Sequence, residues 1–406
     1  MKRIVILGAG FAGLVSAIGA ARKLAELNIP REDVSVTIVN RDEWHAIRVR
    51  NYENDLSDVR VPLADVLEPI GVDLIVGDVT AIDCARREVG CTVGGHPAAI
   101  GYDRLVFALG SELVRPPVPS LDEHGFDIDT YEAASKLDAH LRALPSRPAA
   151  SGRFTALVIG GGLTGIEMAT ELGTRMRDLA GGAPSRVVII DRAPRIGAMM
   201  GEQACAVIDE ALRELRIEIR AGVSVVSADA QGVRLSSGED IAAATIIWCG
   251  GLRAHGLAAT LPGKHDATGR LAVDRFLKVE GIADVYAAGD VAAAQLDASH
   301  ISVMSCQHAR PMGRIAGHNV VCDLVGEAPI PLEIGYYVTC LDLGAWGAVY
   351  CQGWDRAVAA KGASAKATKR MINRERIYPP RSRDPREIFA VAAPVTQAPP
   401  QQFAAK

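Results

Sequence analysis

Two glycine-rich turns carry the first chemical signal in this chain. Gly8-Ala9-Gly10-Phe11-Ala12-Gly13 and Gly160-Gly161-Gly162-Leu163-Thr164-Gly165 share the spacing G-x-G-x-x-G. In each, the first glycine permits a tight bend and the second lets the backbone approach a pyrophosphate. The third brings helix against strand, and the helix N-terminus faces the anion. The residue ending the next strand separates the two units. Asp191 is placed to accept hydrogen bonds from an adenosine ribose, which favours NADH, while Arg192 beside it would suit a 2′-phosphate, so NADPH stays open. The first unit has Asn40 there, able to bond a ribose hydroxyl without the charge, with Arg41 and Asp42 to share that work.

Each turn needs a strand before it and an amphipathic helix after it. Arg3–Leu7 reads as a buried strand, Leu14–Leu27 as the helix and Val34–Val39 as the next strand. Thr155–Ile159, Ile166–Leu179 and Val187–Ile190 repeat that order, with Ile166, Ala169, Leu172, Met176 and Leu179 on the apolar face of the helix. Two such Rossmann units imply two dinucleotides. The proline-rich stretch Val114–Pro119 leads out of the first unit, and Pro145–Gly152 leads into the second. Pro329–Val349 reads as short strands with turns, and Arg356–Arg376 as a basic helix. From Pro379 the composition is that of a mobile tail.

Composition bounds the rest. A chain of 406 residues, 49% hydrophobic and 23% charged, is globular, with two or three domains expected. A net charge of −4 gives no footprint for nucleic acid. No apolar run approaches the ~18 residues of a membrane span, and a strand starting beside Met1 leaves no room for a signal peptide. The eight cysteines are scattered without a C-x-x-C pair, so neither a zinc site nor a local dithiol is expected. A cytoplasmic protein with reduced thiols is the reading.

Other segments resemble a known superfamily. Gly77-Asp78-Val79, followed by Ile82-Asp83, looks like the strand that covers the adenine of FAD. Tyr102-Asp103-Arg104-Leu105-Val106-Phe107-Ala108-Leu109-Gly110 resembles the "YDxLVxATG" strand of the two-dinucleotide flavoproteins, with Leu109 for the usual threonine. Gly289-Asp290 resembles their third FAD motif, whose aspartate bonds the ribityl chain. Within the superfamily the likeness is nearest to the type II NADH:quinone oxidoreductases. Ile159 to Glu167 is similar to their "GGGPTGVE" turn, and Ile247-Trp248-Cys249-Gly250-Gly251 to their "WTAG". The resemblance runs from residue 1 to about residue 325.

It implies an α/β fold with two Rossmann-like dinucleotide-binding domains, the second inserted in the first, plus a smaller C-terminal α+β region. Residues 1–118 and 266–328 would form the FAD domain, and 152–265 the NAD(P)H domain. Residues 329–385 would form a C-terminal interface region and 386–406 the mobile tail. FAD would meet Gly8, Gly10, Phe11, Ala12 and Gly13 in the turn, and Asn40, Arg41, Arg48 and Val79 beyond it. Ala108, Gly110, Gly289 and Asp290 would complete its cradle, with Gln307 at the pyrimidine edge of the flavin. The nicotinamide cofactor would meet Gly160, Gly162, Gly165, Asp191 and Gly250. Glu167 would line the nicotinamide pocket or satisfy its own helix end. Hydride would pass from NADH to flavin N5, and electrons then to a quinone or another small-molecule acceptor. A homodimer, and a peripheral seat on the inner face of the membrane, are both compatible with this reading.

Three departures bear on the acceptor. The family's "AQxAxQ" stands here as Cys306-Gln307-His308-Ala309-Arg310-Pro311, with proline for the second glutamine. Its "FQPLLY" reads Ile47-Arg48-Val49-Arg50-Asn51-Tyr52, far more basic. Its amphipathic C-terminal membrane helix is missing. Arg356–Arg376 carries seven Lys/Arg and a thin apolar face of Val358, Met371 and Ile372, which reads as a solvated basic helix. Disulfide reductases need a dithiol that this chain lacks. Cys306 falls near a cysteine of the sulfide:quinone oxidoreductases, but reads as a small buried hydrophobe. Arg48, Arg50 and Tyr52 point to an anionic or phenolic acceptor in biosynthesis or detoxification. Arg356–Arg376 could instead dock a small acidic iron–sulfur protein. A non-enzymatic flavoprotein that reads NADH as a signal is the remaining class.

Overall fold

The computed structural model describes residues 1–400. Lys2–Leu7 is apolar from Ile4 onward and is covered on both faces, the pattern of a central strand in a parallel sheet. It pairs in parallel with Val34–Asn40 on one side and Arg104–Phe107 on the other. Asp73–Val76 and Val285–Ala287 complete this sheet at its edges. The last of these strands returns from far along the chain, so the first domain closes only after a second has been built.

That second domain repeats the plan. Thr155–Ile159 lies between Arg186–Asp191 and Thr245–Trp248, and Glu218–Ala221 extends the parallel sheet. Gly125–Phe126 joins its other edge, ahead of residue 152, where the unit is expected to begin. A two-residue strand carries no periodicity to be read. The chain crosses between the domains at Ser111–Leu113 and again at Leu252–Ala254, and these two crossings pair as an antiparallel ribbon.

The C-terminal region corrects one expectation. Arg356–Arg376 is not one solvated helix. Ala357–Gly362 is the third strand of an antiparallel sheet with Val338–Asp342 and Ala348–Gln352. Pairing satisfies its backbone, and the helix begins only at Ala363, after Gly362 turns with φ +71°. That helix buries Ala365, Thr368 and Lys369, and a π-turn over Ile372–Arg376 follows it. The expected tail is also structured in part. Pro385–Val391 is helical, capped by Asp384 and anchored by buried Ile388, while residues 401–406 lie outside the described residues.

Two helices meet at backbone distance beneath the first sheet. A Cβ on Gly313 would stand 2.4 Å from the Ala12 carbonyl oxygen, and one on Gly317 would stand 2.2 Å from that of Ser16. Only glycine lets the helix Cys306–Val325 lie this close to the helix Phe11–Glu26. Gly317→Ala is expected to force the helices apart and cost on the order of 1–3 kcal/mol, read as a lowered thermal midpoint. Gly101→Ala, with its nearest neighbour at 4.0 Å, is the control and should shift stability by about 0.5 kcal/mol or less.

Candidate active site

The three glycines of each turn do different work. Gly8 has φ +88°, and a Cβ there would sit 2.7 Å from the Ala108 carbonyl oxygen. One on Gly13 would sit 1.8 Å from the Gly8 carbonyl oxygen. Gly10 would meet no protein atom within 4 Å. The second turn repeats this: Gly160 has φ +119° with Cys249 backbone 2.9 Å away, Gly165 would reach the Gly160 oxygen at 1.8 Å, and Gly162 opens on empty space. The outer glycines close the fold, and the middle one leaves clearance for a ligand. Gly10 and Gly162 are also the N-caps of their helices, with no side chain bonded to the helix-end N–H groups. Those donors face an approaching anion.

The strand-end residues brace these turns. Asn40 Oδ1 accepts from the Ala9 N–H at 2.9 Å, and Asn40 Nδ2 donates to the Asp42 carbonyl at 3.0 Å. Asp191 does the same for the second turn, accepting from the Gly161 N–H and, at 2.6 Å, from the Ala193 N–H. Arg192 points to solvent.

A cavity of about 830 Å³ opens from the first turn. Gly8, Gly10, Phe11, Ala12, Asn40, Arg41, Arg48, Val79, Ala108, Gly110, Gly289, Asp290 and Gln307 all line it. Gly13 does not, being spent on packing. Glu167 enters from the second domain with Leu163, Thr164 and Trp248. Gly160, Gly162, Gly165, Asp191 and Gly250 stay outside this cavity, on the second domain itself. The C-terminal sheet supplies the remaining wall through residues 336–341 and Lys369.

Polar groups in the wall are tied into networks. Burial pushes the Asp290 carboxyl above its usual range, opposed by the Ser111 hydroxyl, which donates to it at 2.7 Å, and by the charge of Arg48. Arg48 donates to the Ser111 hydroxyl at 2.8 Å and pairs with Asp129. Arg50 is no part of the cavity. It is 2% exposed and held by Glu53 at 2.7 Å, by the Asp58 carbonyl at 3.0 Å and by the Tyr378 hydroxyl. The expectation that Arg48 and Arg50 offer free charge to an acceptor is therefore corrected: both guanidiniums are already spent on protein partners. Tyr52 donates to Asp342 at 3.1 Å.

Glu167 and Lys369 form a buried ion pair at 2.7 Å, and Glu167 also accepts from the Asp342 N–H at 3.1 Å. Burial pushes the Glu167 carboxyl up, and the Lys369 ammonium opposes that rise. Lys369 escaped the sequence reading because it lies 202 residues from its partner, in a segment taken for solvated surface. Gln307 accepts from the Val338 N–H at 3.3 Å, while its Nε2 is buried without a partner. An unspent amide donor and an open glycine in one wall fit a ligand that brings phosphate and a polar ring. The cysteines are all free. Burial holds the Cys249 and Cys340 thiols up at about 12 and raises that of Cys306, so the cavity offers no thiolate.

Gly10→Val is expected to abolish FAD binding while leaving the fold intact, because its side chain meets only the ligand's space; Gly13→Val should not fold at all. Visible absorbance and far-ultraviolet circular dichroism separate the two. Lys369→Met should destabilise by about 3–5 kcal/mol by stranding a buried carboxylate. Glu167→Gln added to it should recover most of that loss in urea unfolding.

Comparison with known proteins places this architecture. The family model for pyridine nucleotide-disulphide oxidoreductases matches residues 2–313. An NADH dehydrogenase-like protein of Mycobacterium tuberculosis strain H37Rv is 50% identical over 403 residues, covering 98% of this chain and 100% of that protein. A demethylphylloquinone reductase of Synechocystis is 27% identical over 380 residues, 91% of each chain. The structure of NDH2 from Plasmodium falciparum in complex with NADH matches with a TM-score of 0.75 at 13% identity, over 96% of this chain and 97% of that one, a likeness of fold. The chain belongs to the pyridine nucleotide-disulphide oxidoreductase family, as an NADH dehydrogenase-like oxidoreductase that binds FAD and NAD(H).

Proposed function

We propose that the chain oxidises NADH and passes two electrons to a quinone or a related small acceptor. The observation that carries this is one cavity walled by the first glycine cradle, by Glu167 and its neighbours in the second domain, and by the C-terminal sheet. A donor and an acceptor can both reach the space between. The demethylphylloquinone reductase among the relatives favours a quinone. One hydride from NADH and one proton from solvent balance the reaction, giving NAD+ and a two-electron, two-proton reduced acceptor. FAD, when bound, supplies the chemistry by accepting the hydride and releasing the electron pair.

The chain's own groups position and tune. The helix ends at Gly10 and Gly162 hold phosphates. Asp290, steadied by Ser111 and Arg48, offers a carboxylate to a sugar-like chain. Gln307 donates its free N–H to a ring carbonyl at the N-terminus of its helix, where the dipole favours negative charge. Glu167 and Lys369 keep a charged pair at the wall between nicotinamide side and acceptor side. Among the described residues no helix is long and apolar enough to cross a membrane. On this reading a lipid-dissolved quinone would be met from a peripheral seat on the inner face of the membrane.

NADH is the preferred donor on this reading, through Asp191. Asp191→Ser should weaken NADH by about 1–3 kcal/mol and narrow its lead over NADPH, measured as the ratio of kcat/KM. A native preference for NADPH would mean that Arg192 decides the pocket. For the function itself, the FAD-loaded protein should oxidise NADH rapidly with a short-chain quinone, and faster than with oxygen or ferredoxin. No acceptor-dependent turnover with any of them would sink the proposal.

A further inference from the structure

At one end of the cavity stands a group of cations, two of them in its wall, that no carboxylate neutralises among the described residues. Arg310 and Arg314, one turn apart on the helix Cys306–Val325, are 7% and 2% exposed. Arg310 donates to the Arg376 carbonyl, and Arg314 to the Val391 carbonyl at 2.7 Å. Arg376, half-buried at the rim, donates to the Tyr336 hydroxyl at 3.0 Å and to the Ala398 carbonyl. Among the described residues every partner is a neutral oxygen, and Arg314 Nη1 is buried with none. Elsewhere the buried cations are matched: Arg50 with Glu53, Arg175 with Asp138, Lys369 with Glu167. Burial, with Arg310 adding to it, brings Arg314 down to about 10, and burial lowers Arg310 as well. His45, packed near Arg310, adds no further charge, since burial holds its imidazole down at about 4. Leaving charge buried and unpaired is costly, and an arriving anion would recover that cost.

Arg310 and Arg376 both line the cavity, beside Tyr336, Ile377 and Gln397. Arg310 stands three residues after Gln307 on the same helix, a spacing of roughly 5–6 Å on one face. Gln307 Nε2 is the unspent donor in the wall. We propose that Arg310 and Arg376 receive a carboxylate carried by the electron acceptor, on the side of Gln307 away from the glycine cradle; this rests on the acceptor oxidoreductase reading above. The substrate class is thus a quinone bearing an acidic group on the ring or on a short side chain. A guanidinium matches a carboxylate with two parallel hydrogen bonds, which sets orientation as well as affinity.

The test uses the FAD-loaded enzyme, NADH and a matched pair of acceptors: a naphthoquinone with a carboxymethyl side chain, and its methyl ester. The native protein is expected to favour the acid at least tenfold in kcat/KM. Arg310→Met and Arg376→Met should each reduce that preference at least fivefold, and Arg310→Lys should retain part of it. If Arg310→Met does not fold, Arg376→Met, at the half-buried rim, decides alone. Equal use of acid and ester by the native enzyme, with fast turnover, overturns the acidic-acceptor proposal and leaves the quinone reading standing. Reduction of neither overturns both. Loss of FAD from the arginine variants would assign these charges to the cofactor's phosphates and overturn the proposal.

Discussion

At Gly313 and Gly317 the helix Cys306–Val325 rests on the backbone of the helix Phe11–Glu26, with no side chain between them. Everything chemical in the first domain follows from that contact. It sets the depth at which the later helix starts, and so carries Gln307 into a wall whose other side is Gly10. Gly289, with φ +80°, adds a third close approach to Ala12 and carries Asp290 to the same space. Residues nearly 300 positions apart become neighbours because three side chains are absent. Packing at this range has little room to give, since interiors fill space as densely as organic crystals.

The second governing feature is how charge is distributed in the buried wall. Most buried ions have a partner of opposite sign, some close in the chain, as Arg50 has in Glu53, and one far along it, as Lys369 has in Glu167. The Glu167–Lys369 pair, with the Asp342 N–H on Glu167, ties the C-terminal region to the second domain along the cavity wall. The arginines near Tyr336 break that rule, and an unmatched set in one corner is an asymmetry of design rather than of packing. A site that keeps its ions paired everywhere except at one corner directs an anion there.

Legibility followed range. Both glycine turns could be read because their requirements are local: a bend, a clearance and a close approach within six residues. The central strands could be read because strands covered on both faces are uninterrupted apolar runs. Asn40 and Asp191 were found by position, yet their hold on the Ala9 and Gly161 N–H groups appears only in three dimensions. Arg50 was misjudged although Glu53 stands three residues on, because its other partner, Tyr378, is 328 residues away. Lys369 had no local signal at all. Arg310 and Arg314 did have one, as two arginines a turn apart in the middle of a long helix, with Ala309, Pro311, Met312, Gly313, Ile315 and Ala316 around them. The basic C-terminal segment was misread because charge count was weighed above strand pairing with Ala348–Gln352.

The ribbon between the domains sets how they can move. Ser111–Leu113 and Leu252–Ala254 are the two covalent links, and they are hydrogen-bonded to each other in register. Glu112 pairs with Arg253 across them, and Trp248 Nε1 donates to the Val114 carbonyl at 2.8 Å just beyond. Sliding one strand along the other would break the whole ladder and turn every side chain to the opposite face, whereas flexing across the flat of a two-stranded strip breaks nothing. The ribbon therefore resists sliding of one domain past the other at the crossing, while the buried Glu167–Lys369 pair and the apolar core shared with Leu341 and Val349 hold the second domain on its other side. A nicotinamide carried by that domain is thus presented to the cavity from a wall pinned at two places.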